Sequence, residues 1–281
     1  MKPERRGEET QVDRVRDFAF GARRQSNYSW WKPLAEMLTV IIMVIAMTVV
    51  VALSLEAAGL DTSSPDVDGW FTYATVIVEI IAVLVAVKLV GRRSAASVLW
   101  SGKALRPLTL FAAYLLAFAV IAVTLGLISV YAFGSSWDKA LAGFSSTFPL
   151  ELVAILLAAL AEEMLFRGLV FQAFTAWTRH PLVGAIAAAL LFVAVHPAAW
   201  SEPLAFAHFF LDGLLYAWLA WYFNGIGIAV AAHAAWNTAA SLQDYGVPLS
   251  LGGTATQFVA AALAVVVLTV AFRRARRPLR P

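Results

Sequence analysis

The 281-residue sequence contains no cysteine, which removes disulfides, thiolate metal sites and a cysteine nucleophile together. Charge is scarce as well: 14% of residues are charged against 61% hydrophobic, too few to cover a water-soluble fold of this size. The first 30 or so residues lack an apolar region, so no cleavable signal peptide is expected. The roughly ten-residue alternating segments of a membrane β-barrel are missing too. Three hydrolase signatures are also lacking. There is no G-x-S-x-G of a serine nucleophile elbow, no H-E-x-x-H of a zincin, and no G-x-G-D, because Gly225-Ile226-Gly227 is followed by Ile228.

What is present are apolar runs long enough to cross the ~30 Å hydrocarbon core as helices. Backbone polar groups in lipid must be satisfied internally, so the fold class expected is all-α, a polytopic transmembrane bundle. About eight spans are read, near 34–58, 70–91, 105–133, 148–176, 182–197, 203–223, 225–243 and 255–272. The fifth, sixth and seventh are short and joined by tight turns such as Asn224-Gly225. Four regions follow: a basic tail over 1–32, N-terminal membrane helices over 33–147, a core over 148–243, and a last helix with a basic tail over 244–281.

The net charge of +3 says less than its placement. Eight Lys or Arg residues lie between Lys2 and Lys32, and the C-terminal tail carries Arg273, Arg274, Arg276 and Arg277. The loop with Arg92, Arg93, Lys103 and Arg106 is basic, whereas that with Asp61, Asp66 and Asp68 has no cation. The positive-inside rule then puts both termini in the cytoplasm, and an even number of spans closes the count. Beside membrane spans such tails orient the chain and touch anionic lipid, so the bilayer rather than nucleic acid is the expected partner. An Ala- and Arg-rich chain of this kind suits a bacterial plasma membrane.

Ionisable groups inside a bilayer are costly and each needs a reason. Glu79, Glu151, Glu162, Glu163, Arg167, His196, His208, Asp212 and His233 are the candidates, most of them between 148 and 240. The first three spans contribute little besides Glu36, Glu56, Glu79 and Lys88, several of them near span ends where side chains can snorkel, and Glu79 reads as paired to a buried partner. In Glu162-Glu163-Met164-Leu165-Phe166-Arg167, Glu163 and Arg167 have the i, i+4 spacing of a helical ion pair, which leaves Glu162 available. A carboxylate in an apolar pocket suits a general base, although a buried Glu–Arg clamp joining helices is the structural alternative. Phe192 precedes His196 by four residues, and Pro197 places that histidine at a helix end or kink. His233 and Asn237 share one helical face. His208 and Asp212 have the same spacing and read as a structural pair.

Depth links these groups. Glu162 and His196 each lie about 15–17 residues, roughly 25 Å along their helices, from the Arg179-His180-Pro181 turn. Counted from Asn224-Gly225, His233 and Asn237 lie about 12 and 18 Å in.

The pattern resembles the CPBP group of intramembrane proteases, which includes CAAX-prenyl endopeptidases of type II and bacterial proteins linked to bacteriocin self-immunity. The resemblance spans about residues 148–240 and rests on E-E-x-x-x-R at Glu162, Glu163 and Arg167, F-x-x-x-H at Phe192 and His196, and H-x-x-x-N at His233 and Asn237. An F-x-x-G segment at Phe210 and Gly213 lies between them, and Ala217 stands where many members carry a second glycine. The resemblance implies that Glu162 activates water, that His196 orients it, that His233 and Asn237 stabilise the oxyanion, and that Glu163 and Arg167 support them. The implied substrate is a membrane-associated protein or peptide, prenylated in the best-known cases. Metal-independent water activation is the reading preferred. The alternative is a zinc ion (Zn2+) on Glu162, His196 and His233. Two other functions compete: a non-catalytic immunity or scaffold protein keeping the protease fold, and a transporter with a proton relay, which lacks the expected repeat symmetry.

Overall fold

The computed structural model describes residues 17–60, 64–102, 104–137, 148–242 and 250–275. Among these residues the chain is helical, and its one β-type contact is an isolated antiparallel bridge between Trp100 and Gly225. The helices are α1 (Lys32–Ala57), α2 (Pro65–Val85), α3 (Pro107–Phe133), α4 (Phe148–Glu163), α5 (Gln172–Thr178), α6 (Pro181–Ala194), α7 (Pro203–Tyr222), α8 (Gly227–Leu242) and α9 (Leu251–Ala271). Short helical turns at Ala96–Leu99 and Ala198–Ser201 link them. Residues 1–16, Asp61, Lys103, the boundaries expected at 147 and 244, and residues 276–281 lie outside the described residues.

Local sequence explains where helices begin and end. Proline occupies the first turn of α1, α2, α3, α6 and α7, where its missing N–H has no intrahelical partner to lose. Gly134 closes α3 in the left-handed region at φ +70°, its N–H reaching the Ser129 carbonyl. Asn224, at φ +55°, makes the turn between α7 and α8. The Ser250 side chain caps α9 by accepting from the Gly253 N–H.

Each expected span contains a helix, and among the described residues five helices are long and apolar enough to cross a membrane: Lys32–Ala57, Phe71–Val90, Pro107–Phe133, Pro203–Tyr222 and Leu251–Ala271. The chain is therefore an integral membrane protein of polytopic helical architecture. The segment expected at 148–176 runs unbroken from Phe148 to Thr178, because a π-helical stretch, Met164–Phe171, joins α4 to α5. The segments expected at 182–197 and 225–243 are the shorter α6 and α8.

The α4–π–α5 rod is the hub of the bundle. It packs against α2, α6, α7 and α8, and α8 also rests on α3. Small residues permit this closeness, with Ala113 and Ala117 of α3 and Ala231, Ala235 and Ala239 of α8 all buried. At Gly213 a Cβ would come within 2.9 Å of the Ala189 backbone, which fixes the approach of α7 to α6. By contrast the buried residues of α1 are confined to its first turns, at Pro33, Glu36 and Val40, and beyond them it packs along α2.

Two features of one bundle end depart from the sequence reading. Glu36 does not snorkel: it is buried against Arg93 at 2.7 Å, and Arg93 also donates to Ser97 Oγ and Gln172 Oε1 at 3.0 Å. A guanidinium with three acceptors needs no water. The second feature is a buried turn, Phe18–Phe20, capped by the Asp17 side chain. The Phe18 N–H donates to Asn224 Oδ1 at 3.3 Å, and Trp221 Nε1 to Asp17 Oδ2 at 2.8 Å.

Candidate active site

The site forms where α4 passes into its π-helical continuation. Glu163 ends α4, and the i, i+4 pair expected with Arg167 is present at 2.8 Å, both side chains fully buried. Arg167 also donates through Nη2 to the Gly213 carbonyl at 3.1 Å, and its Cζ lies 4.9 Å from the Phe192 ring centre and 5.3 Å from that of Tyr216. The cation is thus enclosed by a carboxylate, a carbonyl and two aromatic faces.

His233 of α8 stands between the two glutamates. Its Nδ1 donates to Glu163 Oε1 at 3.0 Å, and its Nε2 faces Glu162 Oε2 at 3.7 Å. Because a carboxylate only accepts, the first contact puts a proton on Nδ1 and turns Nε2 toward Glu162. The imidazole is stacked on Tyr216, centroids 4.8 Å apart and planes 15° apart. Glu162 differs from Glu163 in environment. Its side chain is 26% exposed where that of Glu163 is fully buried, while Oε2 of each glutamate is buried without a hydrogen bond.

His196 follows the last turn of α6, at the helix end that Pro197 led us to expect. Its Nδ1 donates to the Phe192 carbonyl at 2.6 Å, leaving Nε2 as the acceptor nitrogen. The ring is stacked on Phe209 at 4.3 Å and touches Phe192 at 4.5 Å. Phe192 in turn lies 5.9 Å from His233, so one phenyl ring contacts both imidazoles and the Arg167 cation. Neither carboxylate oxygen of Glu162 is within ion-pair distance of His196. Asn237 lies one turn beyond His233, half-buried, and makes no hydrogen bond to Glu162, His196 or His233 among the described residues.

Among the described residues no three His, Asp or Glu side chains are grouped closely enough to hold a metal ion. Glu162 and His233 face each other, whereas His196 is turned toward the Phe192 carbonyl. Of the other ionisable groups, His208 Nε2 and Asp212 Oδ2 pair at 3.5 Å. Glu79, expected to have a buried partner, has an Oε1 that is buried without a hydrogen bond. Tyr216 was missed by the sequence reading. The only signal was its spacing, one helical turn beyond Asp212 on the face that carries Gly213.

Residues 144–239 match the family of Rce1-like type II CAAX prenyl endopeptidases. The matched stretch contains α4 to α8 up to Ala239, and with it every site residue described above. The match supports the CPBP resemblance carried by the motifs. Among curated proteins, none matches the chain.

Proposed function

We propose that the protein is an intramembrane endopeptidase that hydrolyses a peptide bond of a membrane-associated substrate, prenylated or otherwise, by direct attack of water. The observation that carries this reading is the unpartnered Oε2 of Glu162, held 3.7 Å from His233 Nε2 beside a Glu163–Arg167 pair that neutralises itself. A carboxylate so placed makes no hydrogen bond through Oε2 and can take a proton there.

In the proposed reaction Glu162 removes a proton from water, which His196 positions through Nε2, and the water oxygen bonds to the scissile carbonyl carbon. The resulting oxyanion accepts hydrogen bonds from the Asn237 amide and from a protonated His233 Nε2, donors aimed at charge that develops in the transition state. Glu163 balances the imidazolium through Nδ1, and Arg167 holds Glu163. When the C–N bond breaks, Glu162 returns its proton to the departing amine. No acyl-enzyme forms and no step passes through a metal.

The test uses purified protein in vesicles with a farnesylated CAAX-type reporter peptide and, separately, a transmembrane reporter. Wild type is expected to cleave one of them. Glu162→Gln and His196→Ala are expected to reduce the rate by about 100-fold or more, the usual contribution of a positioned acid–base group. Equal rates for all three proteins would remove the assigned roles. Inactivity of wild type toward both reporters would favour the immunity or scaffold alternative. Cleavage is expected to survive exhaustive chelation, and its loss with recovery on adding zinc would overturn the metal-free step.

A further inference from the structure

A cavity of about 510 Å³ lies between α2, α3, α4 and the start of α8, and Glu162, His196 and His233 do not line it. Its α4 wall is Leu152, Leu156, Leu160 and Met164, one side chain per turn, a stripe about 18 Å long. The Trp100–Gly225 bridge and Asn224 close one end. On the side, the lining residues Phe111 and Leu156 are 57% and 39% exposed, so the cavity opens sideways to the hydrocarbon region. The apolar stripe is thus slightly longer than one leaflet of a ~30 Å core.

The closed end coincides with the basic end of the bundle. Lys88, Arg92, Arg106 and Arg179 are all exposed there. The carboxylates at this end are engaged, Asp17 with Trp221 and Glu36 with Arg93. Glu56, Glu151 and Glu202 belong to helix ends on the opposite side. Arg106 directly follows the cavity-lining Ala104 and Leu105. Arg24 is anchored nearby, donating to Ser101 Oγ at 2.5 Å, one residue from Trp100.

We propose that this cavity binds one acyl chain of an anionic phospholipid, drawn from the leaflet at the basic end, with Arg106 taking the phosphate. The apolar walls remove chain atoms from competition with bulk lipid but do not distinguish headgroups. The surplus of cations at the closed end supplies that selection. A neutral chain, including the isoprenyl group of a substrate, gains nothing from the charge, so the basic end is the part that names the ligand. Binding of this kind needs no turnover, and its test is separate from the proposed hydrolysis.

The experiment places the protein in vesicles containing phosphatidylglycerol or phosphatidylcholine brominated on the acyl chain. Quenching of Trp100 is read as the difference between wild type and Trp100→Phe. Phosphatidylglycerol is expected to quench at a several-fold lower mole fraction than phosphatidylcholine. Arg106→Gln, at an exposed position, is expected to reduce that preference about five-fold, the equivalent of ~1 kcal/mol for one cation near an anionic surface. Leu156→Trp, which narrows the mouth, is expected to lower the amount of phosphatidylglycerol that co-purifies, measured by mass spectrometry of the intact complex. Equal quenching by the two lipids would overturn the proposal. So would an unchanged preference in Arg106→Gln, or displacement of the brominated lipid by a farnesylated peptide.

Discussion

The two adjacent glutamates should separate stability from chemistry. In Glu163→Ala the fully buried Arg167 loses its carboxylate partner at 2.8 Å and retains the Gly213 carbonyl and the faces of Phe166, Phe192 and Tyr216. Removing one member of a buried pair leaves an uncompensated charge and costs about 3–5 kcal/mol. At roughly 2–4 °C per kcal/mol for a large domain, the unfolding midpoint should fall by about 10 °C. Glu162→Ala removes a side chain that is 26% exposed and whose Oε2 has no partner, so the midpoint should move by less than about 1 kcal/mol equivalent. Thermal unfolding in detergent, followed by intrinsic fluorescence and compared with reporter cleavage, measures both quantities. Equal loss of stability in the two variants would refute the division of roles, and so would a Glu163→Ala protein as stable as wild type.

Tyr216→Phe should keep the stack on His233 and cleave within about two-fold of wild type. Tyr216→Leu should lower kcat more than KM, because an aromatic pair contributes about 0.5–1.5 kcal/mol of orientation, and steady-state kinetics reads the split. At Gly168 an added Cβ would lie 2.5 Å from the Val98 carbonyl and 2.8 Å from Val98 Cβ, so Gly168→Ala should destabilise by about 1–3 kcal/mol, seen as a lowered unfolding midpoint. Arg93→Met should destabilise by leaving Glu36 buried alone, by about 3–5 kcal/mol. The double variant Arg93→Met with Glu36→Leu should recover most of that loss in the same assay.

Much of the architecture was legible in the sequence because bilayer thickness imposes a length that hydropathy reports directly. The helices from Lys32 to Ala271 fall where the apolar runs placed them. The turn at Asn224 and the helix end at His196 followed from local residue chemistry. The Glu163–Arg167 pair followed from spacing, which a π-helical insertion beginning at Met164 did not disturb. That insertion was itself invisible, because nothing in Met164–Phe171 breaks the apolar pattern of an ordinary helix. The pairing of Glu36, expected near a span end, with Arg93 of the basic loop was not foreseen, because they are separated by 57 residues and only tertiary folding brings them together. The Phe18–Phe20 turn is a short apolar island within a charged segment, too brief for any periodicity to register. Within the site, the sequence named Glu162 and His233 but gave no sign that His233 would bridge both glutamates, or that Tyr216 would support its ring.

The π-helical stretch makes the central rod two helices that differ in phase. Its first half presents the glutamates, and its second half is pinned by Gln172, which donates to the Ser97 carbonyl at 2.8 Å and accepts from Arg93. Winding the same Met164–Phe171 stretch as an ordinary α-helix, without removing a residue, would rotate one half against the other by about 100°. With the Gln172 half anchored, the glutamates would swing away from the imidazole of α8. The helix would remain continuous, but the register of the proposed site would be lost.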